Sequence, residues 1–284
     1  MQLKRHPLGF MEVTPKPEEK ELEQYYNSKY FGANKGQYTA TYTSEELINK
    51  QIQGHEALRF AAPGSKTVFD IGCGEGFLLD YLNRQGWDVH GADFTLDGIS
   101  KFFPHLRDRI VTGNIFQTID EAILQGRMFD LVVCNNVLEH VIDPMRLLRG
   151  IKSLLKPNGV CRIVVPNDDS QIQHEIVSQK FAEPNFWVVT PDHLNYFNSE
   201  SFQATLRESG LKMKALLGDF PIDFFLLNPD SNYKKDSTKG KNCHFARVML
   251  ENLLAQESMD KLIAFREGCA KSGLGRTLIA YCTR

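Results

Sequence analysis

The stretch VFDIGCGEGFLLDYL, residues 68–82, decides how the whole chain is interpreted. An apolar run ends at Asp70, and Gly72, Gly74 and Gly76 follow before a helical pattern begins. Glycine tolerates backbone conformations that other residues avoid, and without a Cβ it lets a ligand approach the main-chain N–H groups. The stretch therefore predicts a strand, a ligand-binding turn and a helix.

Apolar runs and helical patterns alternate from this stretch to residue 217, and one more apolar run closes the chain. The predicted strands are TVFDI, DVHGAD, RIVTGN, FDLVVCN, GVCRIVVPN, KMKALLG and RTLIAYCTR, and the predicted helices are 75–86, 95–103, 143–155 and SFQATLRESGL, which Gly210 ends. Short apolar runs between helices are typical of a parallel sheet covered on both faces. The predicted fold class is α/β, with a seven-stranded, mostly parallel sheet.

Two segments lie outside this alternation. Residues 1–16 show no regular pattern, helices are predicted at 17–28 and 44–60, and the aromatic segment 25–43 is interpreted as an ordered loop with a lid role. The long connection 219–276, with helices predicted at 244–256 and 258–272, is interpreted as an insertion. We divide the chain into an N-terminal helical and lid segment, 1–62, and one domain, 63–284, in which 168–198 cover the site and contain the strand-like run FWVVT.

Charge and cysteine content narrow the class of protein. The net charge of −2 excludes a globally basic nucleic-acid binder. No stretch approaches the roughly 20 apolar residues of a membrane span, and the N-terminus lacks the apolar core of a signal peptide. The six cysteines are scattered without a CxxC pair, so we expect a reduced, cytoplasmic protein.

The second predicted strand ends at Asp93, and a carboxylate at a strand tip can accept both hydroxyls of a ribose. A dinucleotide fingerprint, G-x-G-x-x-G, would need a third glycine where Phe77 stands. The charge of Asp70 would also oppose a pyrophosphate, whereas it suits a ligand with an ammonium group. These features favour S-adenosylmethionine over NAD, and an NAD-dependent oxidoreductase is the weaker alternative.

The segments DIGCGEG, GADF, GNIF, FDLVVCNNVLEHVIDP and LLKPNG resemble, in order and spacing, the class I S-adenosylmethionine-dependent methyltransferases. The resemblance covers 65–217, and 277–283 fits the family's antiparallel seventh strand. It implies a Rossmann-like sheet of order 3-2-1-4-5-7-6 and an enzyme that converts S-adenosylmethionine to S-adenosylhomocysteine. The LEHV segment looks like the ubiquinone-biosynthesis-type branch, which methylates small molecules.

The resemblance also implies a cofactor site. Gly72, Cys73 and Gly74 would line the methionine part, in the loop that Gly76 completes, with Asp70 near its ammonium. Asp93 would bind the ribose, and Phe94 would pack on the adenine ring. Asn114 and Ile115 would contact the edge of the adenine. Asn135 and Asn136 would lie beside the sulfonium. Many relatives have Asp in place of Asn114, but an amide oxygen can still accept from the adenine amine.

An oxygen acceptor needs a base, and histidine is the usual base near pH 7. His140 in NVLEHV and His193 in TPDHLNYFNSESF are the candidates. We favour His193, with Asp192, Asn195 and Tyr196 as companions, because similar H-L-x-Y-F tracts occur in sugar methyltransferases.

A metal site is the alternative use of the segment LEHVID. Glu139, His140 and Asp143 could be grouped as ligands, but such a triplet arises easily by chance. We predict that the site contains no metal.

The tract NPDSNYKKDSTKGKNCHFAR, 228–247, concentrates positive charge in the insertion. It is either a solvated surface or an anion site, because lysine and arginine with hydroxyl and amide donors suit a phosphate or carboxylate. The candidate acceptor-binding residues are Tyr233, Lys234, Lys239, Lys241, His244 and Arg247, which Arg276 could join.

The sequence thus predicts O-methylation of a small, anionic, sugar-like acceptor, such as a nucleotide-linked sugar or a polysaccharide precursor. Nucleic acid is a weaker acceptor candidate, because a single patch of this size would bind it poorly at physiological salt. The alternatives are an N- or C-methyltransferase and a non-catalytic cofactor-binding partner protein.

Overall fold

The computed structural model describes residues 2–18, 20–22, 24, 25 and 41–284. Of the helix predicted at 17–28, residues 20–22, 24 and 25 are helical. The lid predicted at 25–43 lies outside the described residues except at 25 and 41–43, so its role stays a prediction.

Along the described residues, the strands form one small sheet and one large sheet. They are β1 (Gln2–Arg5), β2 (Met11–Thr14), β3 (Thr67–Ile71), β4 (Asp88–Asp93), β5 (Ile110–Thr112), β6 (Phe129–Asn135), β7 (Leu155–Pro166), β8 (Asn195–Tyr196), β9 (Lys212–Gly218) and β10 (Thr277–Thr283). The large sheet has the order β5-β4-β3-β6-β7-β10-β9. Six of its strands run in the same direction, and β10 runs in the opposite direction between β7 and β9. Counted along its own strands this order is 3-2-1-4-5-7-6, which confirms the predicted fold class.

Helices cover both faces of the large sheet. They are α1 (Ser44–Phe60), α2 (Phe77–Arg84), α3 (Asp97–Phe102), α4 (Ile115–Leu124), α5 (Pro144–Leu154), α6 (Gln171–Ser178), α7 (Ser199–Glu208), α8 (Gly240–Glu257) and α9 (Met259–Lys271). Residues of α4, α5 and α7 pack on one face, against Ile71 and Ile163, and residues of α1, α2 and α3 pack on the other, against Val68 and Val133. The alternation of β3 and β7 thus buries both faces, as a covered parallel sheet requires.

The interpretation of residues 1–16 as irregular was wrong. Strands β1 and β2 pair antiparallel, and β2 also pairs with β8 through Met11 and Tyr196. Val13 and Tyr196 are fully buried in the small core that this sheet forms. Strands of four residues carry almost no periodicity, so only the tertiary pairing with β8 makes them recognisable.

Two further predictions needed correction. The run FWVVT, 186–190, forms turns and irregular structure and no strand. Trp187 is buried in the core of the small sheet, whereas Val189 is exposed. The run is therefore held by a buried side chain and not by the hydrogen-bond ladder of a strand. The sequence prediction also omitted α4, which Asn114 caps directly after β5.

The inserted helices pack against the beginning of the catalytic fold. Helix α8 lies along α1, where Asn252 Nδ2 donates to the main-chain oxygen of Glu45 at 2.8 Å. Helix α9 packs on the edge strand β9 and on α8. The two predicted inserted helices are therefore confirmed, and they brace the N-terminal helix α1.

All six cysteines are buried and none forms a disulfide. Within the part of the chain that the structure describes, no helix combines the length and the apolar character needed to cross a membrane.

Replacing Gly98 with Ala should destabilise the fold by about 1–3 kcal/mol, the usual cost of overpacking. A Cβ on this residue of α3 would lie 2.5 Å from the main-chain oxygen of Gly74, which cannot move as a flexible side chain would. Gly268→Ala is the matched control, because a Cβ there meets nothing within 4 Å and the interior of α9 gains about 0.5–1 kcal/mol from alanine. Urea unfolding measures both, and equal effects would contradict the packing argument.

Candidate active site

The loop after β3 is fastened to the end of β4 by main-chain and side-chain hydrogen bonds. The amides of Gly72 and Cys73 both donate to the main-chain oxygen of Ala92, at 2.7 and 3.2 Å. Asp93 Oδ2 accepts from the Gly74 amide at 2.7 Å, and its Oδ1 accepts from the Thr95 amide at 3.2 Å. Asp93 therefore shapes the loop in addition to its predicted role at the ribose.

The three loop glycines all have left-handed backbone conformations, with φ of 74° at Gly72, 54° at Gly74 and 82° at Gly76. A Cβ on Gly72 would lie 2.4 Å from Val137 Cγ2, and one on Gly76 would lie 2.3 Å from Ile99 Cδ1. A Cβ on Gly74 would meet none of the described atoms within 4 Å. Packing therefore favours glycine at the outer two positions, and Gly74 is the loop glycine whose backbone is not covered by the described residues.

Asp70 meets the requirement for binding an ammonium group. Its side chain is 3% exposed, and among the described residues Oδ1 has no hydrogen-bond donor. Burial raises the pKa of Asp70 to about 7; Asp93 adds to this rise and Arg162 opposes it. An ammonium from S-adenosylmethionine would supply both the missing donor and a compensating charge, so the residues present fit this cofactor.

The other predicted cofactor residues lie near the carboxyl ends of neighbouring strands. Asn114 Oδ1 accepts from the Phe116 amide at 2.9 Å, so the side chain caps α4, of which Ile115 is the first residue. Phe94 follows Asp93 and is half-buried. Their predicted contacts with adenine stay predictions.

Asn135 ends β6, and Asn136 follows it in a different conformation. Asn135 Oδ1 accepts from Arg162 Nη1, while Asn136 has a φ of 53° and its main-chain amide donates to the Val164 oxygen at 2.9 Å. Cys73, in the glycine loop, is buried, and burial raises the pKa of its thiol, so it stays protonated at neutral pH.

Helix α1 and the residues before it also contact the glycine loop, a contact that the sequence analysis missed. The Tyr42 hydroxyl donates to Glu75 Oε1 at 2.7 Å, and Lys50 Nζ lies 3.0 Å from Glu75 Oε2. Tyr42 and Lys50 belong to no recognisable motif in the sequence, so only their contacts with Glu75 in the structure identify them as neighbours of the loop.

The turn after β6 brings Glu139 and His140 against His193. His140 Nδ1 donates to the Asp192 main-chain oxygen at 2.7 Å, and His140 Nε2 lies 3.8 Å from Glu139 Oε1. The two imidazole rings pack edge to face, with centroids 4.8 Å apart. The sequence analysis treated these histidines as competitors, whereas the fold places them side by side.

The protonation of this cluster follows from its burial. Glu139 is 1% exposed, and burial raises its pKa to about 8, with Asp168 and Asp192 adding to the rise. Glu139 therefore carries a proton at neutral pH. Tyr196 donates to the His193 main-chain oxygen at 3.0 Å, and burial raises its pKa to about 12, which favours a structural role over a catalytic one.

The metal triplet considered from the sequence does not form as a group. Asp143 caps α5, where its Oδ1 accepts from the Arg146 amide at 2.9 Å. Instead, the ligand-type atoms of Glu139, His140 and His193 lie within 4.8 Å of one another. The absence of a metal stays a prediction.

Most of the candidate acceptor-binding residues in the basic tract already contact main-chain oxygens or acidic side chains of this chain. Lys234 Nζ donates to the Phe186 oxygen at 3.3 Å and Lys239 Nζ to the Pro229 oxygen at 3.0 Å, while Lys241 is exposed. The other members lie beside acids: Tyr233 donates to Asp223 at 2.8 Å, His244 lies 3.1 Å from Glu46 and Arg247 lies 3.5 Å from Asp219. These contacts compete with the predicted binding of an anion.

Arg276 is also neutralised by acids. Its Nη1 lies 3.0 Å from Asp168 Oδ1, and its Nε lies 3.8 Å from Asp223 Oδ2. Asp168 follows β7 and is electrostatically coupled to Glu139, so this acidic pair and its arginine adjoin the histidine cluster. No periodicity in the sequence marks Asp168 or Asp223 as site residues.

Residues 45–216 match the family described as a methyltransferase domain. The ubiquinone biosynthesis O-methyltransferase of Roseobacter denitrificans is 30% identical over 196 residues, which cover 66% of this chain and 75% of that protein. The protein of the same name from Actinobacillus pleuropneumoniae serotype 7 is 35% identical over 101 residues, covering 34% of this chain and 43% of that protein. The chain thus spans less than half the length of this second relative.

Among solved structures, a SAM dependent methyltransferase from Archaeoglobus fulgidus is similar, with a TM-score of 0.51 and 18% sequence identity. The alignment covers 92% of this chain and 99% of that chain. At this identity the likeness supports the fold alone.

Gly72→Ala should weaken the binding of S-adenosylhomocysteine at least tenfold, because the new Cβ meets Val137 and strains the loop. Gly64→Ala is the matched control: its φ of 81° imposes the same backbone strain, but no atom lies within 4 Å of a Cβ. Calorimetric titration measures affinity, and thermal unfolding measures the strain common to both. Equal losses of affinity would contradict the role of the loop.

Proposed function

The chain belongs to the methyltransferase-domain family, and on this premise we propose that it transfers a methyl group from S-adenosylmethionine to an oxygen of a small acceptor, with His140 as the base. The observation that carries the proposal is the cluster in which the turn after β6 brings Glu139 and His140 against His193. Asn135 ends the same strand, and Asn136 follows it. The relatives' names, which specify O-methylation, support an oxygen acceptor.

Methyl transfer is an in-line displacement, and much of its acceleration comes from holding the two reactants in line. The bound cofactor supplies an electrophilic methyl group on a sulfonium. Asp70 would bind the ammonium group, and Asp93, whose carboxylate also holds the Gly74 amide, would bind the ribose. The acceptor hydroxyl loses its proton as the new bond forms, so a base beside it is required.

The contacts of His140 support its assignment as this base. Because Nδ1 donates to the Asp192 oxygen, the lone pair of the neutral ring is on Nε2. Burial raises the pKa of Glu139 to about 8, so its protonated form predominates at neutral pH and it does not compete as the base. His193 packs edge to face on His140 and would line the acceptor. This assignment reverses the preference for His193 in the sequence analysis.

The finer expectation of an anionic, sugar-like acceptor depends on the basic tract. Lys234, Lys239 and Arg247 contact oxygens of this chain, and Arg276 lies between Asp168 and Asp223. These contacts favour a small hydroxylated acceptor without a required negative charge. An N- or C-methyltransferase and a non-catalytic cofactor-binding protein remain the alternatives, and cytoplasmic location stays a prediction.

His140→Gln should lower kcat about 100-fold or more, the usual contribution of a general base, and leave the Kd of S-adenosylhomocysteine unchanged. The measurement is transfer of labelled methyl to a panel of hydroxylated acceptors, and calorimetry gives Kd. Tyr196→Phe is the control within the same cluster and should keep kcat within a fewfold. Full activity in His140→Gln would rule out this base, and transfer to amines alone would rule out the oxygen acceptor.

Reversing two charges tests the finer expectation. If the acceptor is uncharged, Lys239→Glu with Lys241→Glu should leave its KM unchanged, because Lys239 contacts the Pro229 oxygen and Lys241 is exposed. A KM raised tenfold or more at constant kcat, relaxed by added salt, would restore the anionic acceptor.

A further inference from the structure

A cation is buried in the centre of the large sheet beneath the cofactor site. Arg162, in the middle of β7, has a side chain that is 3% exposed. Its Nε donates to the Tyr281 hydroxyl at 3.1 Å, its Nη2 lies 3.4 Å from Glu56 Oε1, and its Nη1 donates to Asn135 Oδ1. A buried charge is costly unless it is paired, and apolar residues would fill this face as well or better. The contact with Asn135 suggests that the guanidinium orients this side chain.

The acid that holds Arg162 is itself held from the insertion. Glu56, on α1, is fully buried, and its Oε2 accepts from Arg266 Nη1 on α9. Arg266 also donates to Glu251 Oε1 on α8 at 2.7 Å. Glu56 therefore keeps one guanidinium partner if Arg162 is replaced by a neutral residue, which makes such a variant a feasible test.

The Arg162 contact fixes which way the Asn135 amide faces. Because Oδ1 faces the guanidinium, the Nδ2–H donors of the amide face away from it. Donors at the end of β6 suit a carboxylate, and the methionine part of the cofactor has one. Arg162 and Asp70 are both register partners of Val133 on β6, so the guanidinium and the Asp70 carboxyl lie two strands apart and interact electrostatically.

We propose that Arg162 is a positioning residue of the cofactor site, which orients the Asn135 amide as a hydrogen-bond donor and, in register with Asp70 across β6, favours the carboxylate form that would meet the cofactor's ammonium group. The inference rests on the cofactor part of the proposed function and is independent of the acceptor. The proposal also connects the insertion to the cofactor site. Arg266 on α9, which Glu251 on α8 holds, donates to Glu56, and Glu56 pairs with Arg162.

The charge balance around Asp70 makes the proposal testable by pH. The titratable groups that act on it are Asp93 on β4, Arg162 on β7, and the thiols of Cys73 in the loop and Cys134 on β6. Both thiols stay neutral because burial raises their pKa, and Asp93 disfavours ionisation of Asp70, so Arg162 is the group that favours it. Since the pKa of Asp70 is about 7, affinity for the ammonium should have its midpoint near that pH, rise to its limit as pH increases further and fall as pH decreases.

The experiment is calorimetric titration of the full chain with S-adenosylhomocysteine between pH 6 and 8. For Arg162→Met we expect the pH midpoint of affinity to move upward and the Kd at pH 7 to increase about tenfold. Arg162→Lys keeps the charge and should restore the midpoint, although it cannot reproduce the Asn135 contact. Tyr281→Phe removes a hydrogen bond from the same network without changing the charge, and its midpoint should match that of the parent chain.

The outcomes separate the hypotheses. A midpoint that Arg162→Met leaves unchanged in a folded protein, judged by thermal unfolding, would overturn the role of Arg162. Asp70→Asn provides an independent test if Arg162→Met does not fold: affinity should become independent of pH, and a persistent midpoint near 7 would overturn the role of Asp70. No binding to the parent chain at any pH would instead contradict the cofactor assignment itself.

Discussion

The hydrogen bond from the Gly74 amide to Asp93, 2.7 Å long, is the contact on which the site depends. A hydrogen bond to a charged group contributes about 1.5–3 kcal/mol, enough to hold a strained loop. It joins the turn after β3 to the end of β4, and our proposal places the cofactor at the carboxyl ends of these two strands. Gly72 and Gly76 in the same loop have left-handed conformations and tight contacts. Of the three loop glycines, Gly74 is the one at which a Cβ would meet no described atom within 4 Å.

Buried carboxyl groups surround this loop and the neighbouring turn. Burial raises the pKa of Asp70, Asp93, Glu139 and Asp168, so ionising any of them costs free energy. A ligand that brings a sulfonium and an ammonium would favour the ionised carboxylates of Asp70 and Asp93, and a pyrophosphate would oppose them. The electrostatics of the site thus agree with the missing third glycine at Phe77, because both disfavour a dinucleotide.

The inserted segment packs on helix α1, which also contacts the glycine loop through Lys50. The sequence analysis assigned the segment to the acceptor because of its lysines, but Lys234 and Lys239 contact main-chain oxygens nearby. Its structural contribution comes from Arg266, which Glu251 holds and which donates to the buried Glu56. A buried ion network of this kind can be retained for conformational specificity, and here its outermost member is Asn135.

The sequence predicted those parts of the molecule that depend on local pattern. The core strands and the glycine turn follow from short apolar runs and from a motif of fixed spacing, whereas the order of the large sheet came from the resemblance to the methyltransferase family. The strands β1 and β2 could not be predicted, because their partner β8 lies about 180 residues away and has two residues. The pairing of His140 with His193, and of Asn135 with Arg162, likewise requires the packed tertiary structure. The contacts of the lysines in the basic tract could not be predicted either, since a pattern shows that lysines are present and not what they contact.

The central claim is that the loop after β3 binds S-adenosylmethionine and its thioether product, which both have an ammonium group. A competitive calorimetric titration tests this claim most directly. The account predicts that S-adenosylhomocysteine binds at one site per chain and that NAD, added at the same concentrations, neither binds nor displaces it. Saturable binding of NAD, with none of the thioether, would contradict the account.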